Sequence, residues 1–396
     1  MGALTGIRVL EVGTLLAGPF TGRLLGDFGA EVIKIEPPDR SDPMRHWGQQ
    51  IDGEGLLWPV QSRNKKCITL NLRKPEGQRV FKELAAEADV VLENFRPGTM
   101  EKWGLGYEEL KTVNPGIIML RTSGFGQTGP YSSQAGFGSV GEAMGGLRYV
   151  TGYGDRPPTR VGISIGDSLA ALFATIGCLL ALQERNKSGQ GQVVDTAIYE
   201  AVFSLMEGLV PEYALKGYVR ERSGNILPGV APANIYETKE SDYVVIGANA
   251  DTVFKRLAQA MGAPEMAEDE RYATHNARGQ NQDELDNLIN EWTQSVSTDD
   301  LLQILSEFGV PAGKIYSAKD IVNDPHYLAR DMILSMMHPH LGEFKLPGIV
   351  PKLSRTPGEV NWLGPAEMGE HNSEVYQGQL GYTDGQINQL KRLEII

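Results

Sequence analysis

The chain has 396 residues, 41% of them hydrophobic and 22% charged, with a formal net charge of −13 at pH 7. This composition is typical of a soluble globular protein with enough residues for two or three domains. The negative charge argues against a nucleic-acid binder, because a polyanion requires clustered Lys and Arg, whereas a small anionic ligand needs only a local basic patch.

The first half of the chain alternates strand and helix patterns. The predicted strands are residues 7–12, 30–36, 66–72, 90–94 and 117–123, and predicted helices follow at 18–29, 75–88 and 107–113. Strands that alternate with helices at this spacing predict an α/β domain with a mostly parallel sheet. Ligands of such sheets bind at the carboxyl ends of the strands.

A long helix is predicted from Ser168 to about Arg185, and the composition changes to Gly- and Pro-rich near Tyr218. Three amphipathic helix patterns then follow, at 251–262, 283–296 and 298–309. We therefore predict a large α/β domain over residues 1–217, completed by 331–396, and a smaller α+β domain over 225–322. Linkers are expected at 218–224 and 323–330.

The C-terminal segment is Pro-rich and has no clear period before a final helix pattern at 384–396. A long structureless segment is uncommon inside a compact fold. We therefore expect this segment to be irregular and to wrap over the first domain or over a partner subunit.

No basic segment followed by an apolar block opens the chain, so no signal peptide is predicted. The longest apolar run, Leu169–Leu182, is interrupted by polar and small residues and is predicted to be too short for a bilayer. Cys67 and Cys178 lie in apolar surroundings without a partner motif, which is typical of buried thiols in a reducing cytosol. We expect a cytoplasmic protein.

The first turn has the layout of a dinucleotide-binding motif but not its spacing. It follows a strand, opens a helix and leads to a strand that ends in Glu36. The glycines are Gly13, Gly18 and Gly22, which is not G-x-G-x-x-G, so NAD or FAD binding is not predicted. The six histidines are scattered without neighbouring ligands, and no metal site is predicted.

Two further segments each allow a structural and a functional interpretation. Basic residues cluster around the strand at 66–72, and they form either a solvated strand edge protected by charge or a phosphate-binding patch. They are Arg63, Lys65, Lys66, Arg73 and Lys74. The segment Glu93–Gly98 is either a plain turn in which Asn94 bonds its own backbone or a ligand loop at a strand end.

Asp167 is the one carboxylate in the apolar stretch between Thr159 and Leu182. Directly before a predicted helix, Asp is among the best N-caps. The helix N-terminus also keeps a carboxylate ionised, Gly166 leaves room for a substrate, and an ionised carboxylate can attack an activated acyl group. The residues alone leave both interpretations open.

Several segments together resemble CoA-transferase family III. They are GIRVLEVGTLLAGPFTGRLLGDFGAEVIKIE, NKKCITLNLRKPEG, ADVVLENFRPGTMEKWGLGYEEL, VGISIGDSLAALFA, GQGQVVDTAIYEAV and MGEHNSEVY, and they span nearly the whole chain. The resemblance implies a Rossmann-like large domain, a smaller α+β domain, and an interlocked homodimer in which each chain threads through the other.

The resemblance also implies a site. Asp167 matches the family's catalytic carboxylate, which forms a mixed anhydride and then an aspartyl-CoA thioester. The positions that match the family's CoA contacts are Leu15, Leu16, Ala17, Leu70, Arg73, Asn94, Phe95 and Lys102. A CoA thioester is then the substrate, and no permanently bound cofactor, metal or ATP is expected.

Departures from relatives narrow the expected reaction. Formyl-CoA transferases have Gln where this chain has Leu16, and the related α-methylacyl-CoA racemases have their catalytic His where this chain has Phe137. Without that base, two-base proton exchange lacks a partner, so a transferase is favoured over a racemase or isomerase. A CoA-binding protein without turnover is the third alternative.

A dicarboxylic acyl donor or acceptor is expected, with succinyl-CoA or another dicarboxylic acyl-CoA as the CoA donor and a free carboxylic acid as the acceptor, because the Asp167 segment most resembles enzymes that act on succinyl-CoA, mesaconate and citramalate. Arg160 is either a loop arginine or the group that binds a second carboxylate, next to Phe137 in the substrate pocket. The expected partners are an acyl-CoA, a free carboxylic acid and a second copy of the chain, without nucleic acid or membrane.

Overall fold

The computed structural model describes residues 2–396, which divide into two compact units. The first unit comprises the chain up to Leu147 together with Val161–Gly217 and Leu328–Ile396. The second unit comprises Arg148–Arg160 and Tyr218–Tyr327. The segment Arg148–Arg160, which the sequence analysis assigns to the large domain, thus clusters with the second unit.

The described chain contains strands of two to six residues. They are β1 (Arg8–Glu11), β2 (Glu31–Glu36), β3 (Gln50–Ile51), β4 (Glu54–Gly55), β5 (Lys65–Thr69), β6 (Val90–Glu93), β7 (Ile118–Ser123), β8 (Val193–Ala197), β9 (Ala233–Glu237), β10 (Tyr243–Gly247), β11 (Ala312–Lys314), β12 (Ile333–His338) and β13 (Gly342–Pro347).

Helices connect and cover these strands. They are α1 (Ala17–Asp27), α2 (Trp58–Gln61), α3 (Pro75–Ala86), α4 (Thr99–Lys102), α5 (Tyr107–Val113), α6 (Gly138–Met144), α7 (Leu147–Val150), α8 (Ile165–Ser188), α9 (Ile198–Phe203), α10 (Leu209–Lys216), α11 (Asp251–Ala260), α12 (His275–Gln280), α13 (Gln282–Thr293), α14 (Thr298–Glu307), α15 (Ala318–Ile321), α16 (Pro325–Ala329) and α17 (Asp384–Arg392). Short 3₁₀ helices lie at Pro43–His46 and Pro264–Ala267, and a π-helix at Glu374–Gln379.

The first unit is built on a six-stranded sheet in the order β5-β2-β1-β6-β7-β8, and every neighbouring pair is parallel. This confirms the predicted parallel sheet. Apolar side chains alternate between its two faces, as a doubly covered sheet requires. Leu10 and Val91 pack with α3 and α5 on one face, while Val9 and Leu120 pack with α1 and α8 on the other.

The second unit has a three-stranded antiparallel sheet, β11-β10-β9, covered by helices. The amphipathic patterns of α11, α13 and α14 supply its core, where Phe254, Leu285 and Leu301 pack against Val244 and Ile246 of β10. These are the helices that the periodicity predicts.

The C-terminal segment clusters with the first unit, and its packing over a partner subunit stays a prediction. It covers the edge strand β5, because the Cys67 N–H donates to His371 Nδ1 and the Thr69 N–H donates to Asn372 Oδ1. Covering an edge removes a row of unpaired backbone groups. The expectation of an irregular segment is wrong for the β12–β13 hairpin, whose half-exposed strands have only a weak alternating pattern.

Helix α8 begins at Ile165 rather than at Ser168 and has 24 residues. Within residues 2–396 it is the one helix long and apolar enough to cross a membrane by length and composition, which is weak evidence alone. The prediction that the apolar segment is too short for a bilayer is therefore wrong by the criterion of length. Thr175 and Gly177 interrupt the apolar sequence but not the helix. Its small residues, such as Ala170, Ala174 and Cys178, are buried, and larger apolar ones are exposed.

Candidate active site

Two cavities open where the strands of the parallel sheet end. The first, here the β2–β5 pocket, has a volume of about 200 Å³. Its lining includes Lys34, Glu36, Arg40, Asp42, Leu70, Arg73, Phe95 and Trp103. The second, here the Asp167 pocket, has about 130 Å³ and is lined by Leu15, Leu16, Ala17, Trp47, Asn94, Thr122, Ser123, Phe137, Gly138, Asp167 and others. Both lie in the first unit.

Asn94, directly after β6, clamps the loop that follows β1. Its Oδ1 accepts the Thr14 N–H at 2.8 Å, and its Nδ2 donates to the Thr14 carbonyl at 2.8 Å. The interpretation of a turn in which Asn94 bonds its own backbone is therefore wrong. The side chain bonds a segment distant in sequence and fixes the wall of the Asp167 pocket.

The glycines of the first turn make room for this clamp. A Cβ on Gly13 would lie 2.7 Å from Asn94 Oδ1, and one on Gly18 would lie 3.3 Å from Asn94 Cγ. A Cβ on Gly22 would overlap the buried carboxylate of Glu11. The three glycines thus make room for side chains of this chain.

Asp42 and Lys34 hold the same loop from the side of the β2–β5 pocket. Asp42 Oδ1 accepts the backbone N–H groups of Leu15 and Met44, at 3.1 and 2.9 Å, and Asp42 Oδ2 pairs with Lys34 Nζ at 2.7 Å. Lys34 Nζ also donates to the Gly13 carbonyl. Leu15 adopts a φ of 63°, which non-glycine residues rarely adopt, so the surrounding bonds stabilise a strained turn.

The charges around Lys34 and Asp42 favour their ionised forms. Burial opposes the charge on Lys34, but Asp42 and Glu11 outweigh it and raise the pKa of Lys34 above its ordinary value. Burial likewise opposes the charge on Asp42, yet Lys34 and the backbone N–H donors hold the pKa of Asp42 below its usual range. The pair is a fixed element of the wall of the β2–β5 pocket.

Two of the five basic residues around β5 are not part of a solvated edge. Arg63 is buried and donates two hydrogen bonds to Asp27, and Lys65 is buried and pairs with Glu11 at 2.8 Å. That interpretation is wrong for these two residues, because their charges are matched in the interior. Arg73, in contrast, is about half exposed and lines the β2–β5 pocket, where it can meet an anion.

The loop after β6 also carries an aromatic wall. Phe95 and Trp103 meet edge to face, with ring centroids 5.3 Å apart, and both line the β2–β5 pocket. Glu93 Oε2 accepts the Phe95 N–H at 2.6 Å, and Arg121 bonds Glu93 Oε1 at 2.7 Å. Burial raises the pKa of Glu93 to about 7, although Arg121 opposes this shift. These contacts fix the aromatic wall at the strand end.

Asp167 lies in the first turn of α8, and Ser164 is the N-cap residue of that helix. The Asp167 carboxylate packs against Gly138, the first residue of α6. The contact is so close that a Cβ on Gly138 would overlap Asp167 Oδ2. The carboxylate and the ring of Phe137 line the same pocket as the loop clamped by Asn94. The arrangement presents a carboxylate to a cavity whose lining contains no Lys or Arg.

The structure brings most of the predicted site residues into these two pockets. Leu15, Leu16, Ala17, Asn94, Phe137 and Asp167 line one, and Leu70, Arg73 and Phe95 line the other. Lys102 is exposed, and within residues 2–396 neither lining includes it. Arg160 is exposed and belongs to the second unit. Contact of any of these residues with a ligand stays a prediction.

Sequence reasoning missed Lys34, Asp42, Trp47 and Trp103, which line the pockets beside the predicted residues. A charged Lys in the centre of the apolar strand 30–36 is the signal that could have indicated Lys34. Both cysteines are buried free thiols, as predicted, and burial raises the pKa of Cys178 to about 12. In residues 2–396 no three His, Cys, Asp or Glu side chains form a group that could hold a metal ion.

The first unit thus has a parallel α/β sheet, with a carboxylate-lined pocket and a basic, aromatic pocket at the ends of its strands. The model of CoA-transferase family III matches residues 4–372, and the chain belongs to this family and is a CoA-transferase. It is 59% identical to succinyl-CoA–D-citramalate CoA-transferase of Chloroflexus aurantiacus, over 99% of this chain and 98% of that protein.

Other comparisons agree. The chain is 42% identical to the succinyl-CoA–L-malate CoA-transferase beta subunit of Chloroflexus aurantiacus, over 99% of this chain and 98% of that protein. A crystal structure of a CAIB/BAIF family protein from Brucella suis matches with a TM-score of 0.84 and 34% identity, over 95% of this chain and 99% of the other.

Proposed function

We propose that this CoA-transferase moves CoA from succinyl-CoA to citramalate or a closely related dicarboxylic acid, with Asp167 as the covalent carboxylate. The placement of the Asp167 carboxylate in a pocket beside the fixed first-turn loop carries the proposal. The names of the two Chloroflexus relatives support the choice of succinyl-CoA and of a hydroxylated dicarboxylic acid.

The proposed reaction exchanges one thioester for another. Asp167 attacks the thioester carbonyl, the CoA thiolate leaves, and an aspartyl mixed anhydride forms. The thiolate then attacks the aspartyl carbonyl, which releases the first acid as its carboxylate and leaves an aspartyl-CoA thioester. The acceptor carboxylate attacks that thioester and expels the thiolate again. Attack of the thiolate on the acceptor carbonyl of this second anhydride yields the new acyl-CoA and restores Asp167.

The β2–β5 pocket suits the nucleotide end of CoA. The faces of Phe95 and Trp103 are suited to an adenine ring, and Arg73 offers a charged fork to a phosphate. The thioester would then reach the Asp167 pocket along the loop Gly13–Ala17, which borders both cavities. No chemical step in this scheme requires ATP or a metal ion, because the thioester bond energy is retained throughout.

We also propose that the enzyme is a cytoplasmic, interlocked homodimer. Large apolar side chains are exposed on α8, α9 and α10, and they include Leu172, Ile176, Leu180, Phe203, Val210, Tyr213 and Leu215. A monomer rarely exposes so many large apolar groups unless a partner covers them. The occupant that we propose for this face is the second copy of the chain.

The test of the reaction is a mass-spectrometric screen of free acids against succinyl-CoA and acetyl-CoA. New CoA thioesters of citramalate or malate are expected, and hydroxylamine should trap the activated Asp167 as a hydroxamate. Asp167→Asn and Asp167→Ser should bind CoA but fall to background turnover, because neither side chain can form the anhydride. Substantial turnover by the Asn variant, with deamidation excluded by mass, would refute the nucleophile.

The test of assembly is sedimentation at decreasing concentration. Interlocked chains cannot separate without unfolding. A dimer is therefore expected even at concentrations so low that ordinary dimers dissociate. A folded monomer on dilution would refute interlocking, and binding of the chain to lipid vesicles in place of dimerisation would assign the apolar face to a membrane.

A further inference from the structure

Glu142 is a buried carboxylate beside the Asp167 pocket that the proposed chemistry does not use. It lies on α6, it is 1% exposed, and it is not part of the lining of that pocket. A buried carboxylate is expensive unless hydrogen-bond donors surround it, so its position calls for a role.

One partner of Glu142 is the start of α8. Glu142 Oε1 accepts the backbone N–H of Gly166 at 3.3 Å, in a buried environment. Gly166 is the second residue of α8, where backbone N–H groups have no intrahelical acceptor. Glu142 therefore supplies, from a different helix, an acceptor of the kind that a capping side chain supplies within its own helix.

The two helices are held together at this point from both sides. Asp167 of α8 packs against Gly138 at the start of α6, and Glu142, one turn further along α6, bonds Gly166 of α8. A Cβ on Gly166 would lie 2.9 Å from Glu142 Cγ, tighter than real Cβ contacts. Glycine at position 166 is thus a condition for the approach of Glu142.

We infer that Glu142 is a positioning residue for the nucleophile, a role that rests on the proposed function of Asp167. An Asp in the first turn of a helix can itself fold back to bond the helix end. Glu142 accepts the Gly166 N–H at that helix end and fixes the first turn of α8. The Asp167 carboxylate then stays against Gly138, in the pocket where the thioester arrives.

The test compares Glu142→Gln with Glu142→Ala. The amide oxygen of Gln accepts the same N–H, so kcat should stay within about threefold of the wild type, whereas Ala should lower kcat about 10- to 100-fold. The KM for acyl-CoA should change less than about threefold in both variants, because the β2–β5 pocket is untouched. Leu110→Ala, a buried truncation on the other face of the sheet, controls for lost stability and should retain kcat.

A second readout is independent of turnover. Hydrogen exchange in the peptide over residues 161–169 should be faster in Glu142→Ala and return to the wild-type rate in Glu142→Gln. Unchanged exchange or unchanged kcat in the Ala variant would overturn the inference, as would a Gln variant as slow as the Ala variant. If the wild type transfers CoA to no acid, the proposed function falls, and the exchange comparison still decides whether Glu142 holds α8.

Discussion

The two pockets of the first unit keep their shape by different means. The wall of the β2–β5 pocket contains buried charges that are paired: Lys34 pairs with Asp42, and Glu36 pairs with Arg45, which is buried behind the lining. The Asp167 pocket instead depends on close approach at glycines, where Gly138 admits the carboxylate and Gly13 and Gly18 admit Asn94. Buried ion pairs thus hold the β2–β5 pocket, which is suited to binding. Glycines, which have no side chain, leave room for the Asp167 carboxylate, which is suited to reaction.

The two pockets are therefore sensitive to different kinds of substitution. Buried ion pairs tolerate no loss of one partner, because the remaining charge is left without compensation in the interior. Glycine contacts tolerate no added atom, because the neighbouring groups lie closer than a Cβ allows. Substitutions in one pocket should therefore mainly change binding or stability, and substitutions in the other should mainly change turnover.

Among substitutions that keep the Asp167 carboxylate, the largest effect is expected from Gly138→Ala. The added methyl group displaces the Asp167 carboxylate, and a displacement of about 1 Å is enough to lower kcat about 100-fold. The KM for succinyl-CoA should be nearly unchanged. Gly162→Ala is the matched control, since nothing lies near its Cβ position, and it should keep wild-type kcat. Equal kcat for both variants would remove the glycine argument.

Asn94→Ala should have the next largest effect. It leaves the Thr14 N–H and carbonyl without their partner, which costs about 1–3 kcal/mol of stability, and it loosens the loop that borders Asp167. We expect about tenfold lower kcat and a lower Tm. Asn94→Asp keeps the acceptor but not the donor and should lie between. A variant with full kcat and wild-type Tm would show that the clamp is dispensable.

A smaller effect on KM alone is expected from Arg73→Ala. Loss of one charge-assisted contact at a half-exposed site should raise the KM for succinyl-CoA about tenfold and leave kcat unchanged. Arg79→Ala removes a similarly exposed arginine on α3 and should change neither value. If Arg73 binds the 3′-phosphate, its removal should have no effect with a dephospho-CoA thioester. A large loss of kcat in Arg73→Ala would contradict the assignment of binding to the β2–β5 pocket and of turnover to the Asp167 pocket.

The smallest effect concerns acid stability. The pKa of Asp42 is below its ordinary value, so its ionised form stabilises the fold above that value, and this stabilisation is lost as the pH falls below about 4. The Tm of the wild type should therefore decline more steeply between pH 5 and pH 3 than that of Asp42→Asn, measured by calorimetry. Parallel declines would show that Asp42 does not contribute to acid unfolding.

Local sequence patterns predicted several elements of the first unit, and the sequence with its family motifs indicated a candidate nucleophile. Alternating apolar strands and amphipathic helices predicted β1, β2, β6, β7 and α5 closely, because these elements depend on local periodicity. The position of Asp167 after Gly166, with the family motifs around it, was sufficient to single out that carboxylate.

The hydrogen-bond partners of the buried polar groups could be read only from the tertiary structure. The bonds from Asn94 to Thr14, from Glu142 to Gly166 and from Lys65 to Glu11 join residues far apart in sequence, and no local pattern encodes them. The same holds for Arg63 and Lys65, which resemble surface charges in sequence and are buried in the fold. Periodicity reports which face of an element is apolar, whereas the partner of a buried polar group depends on how distant segments pack.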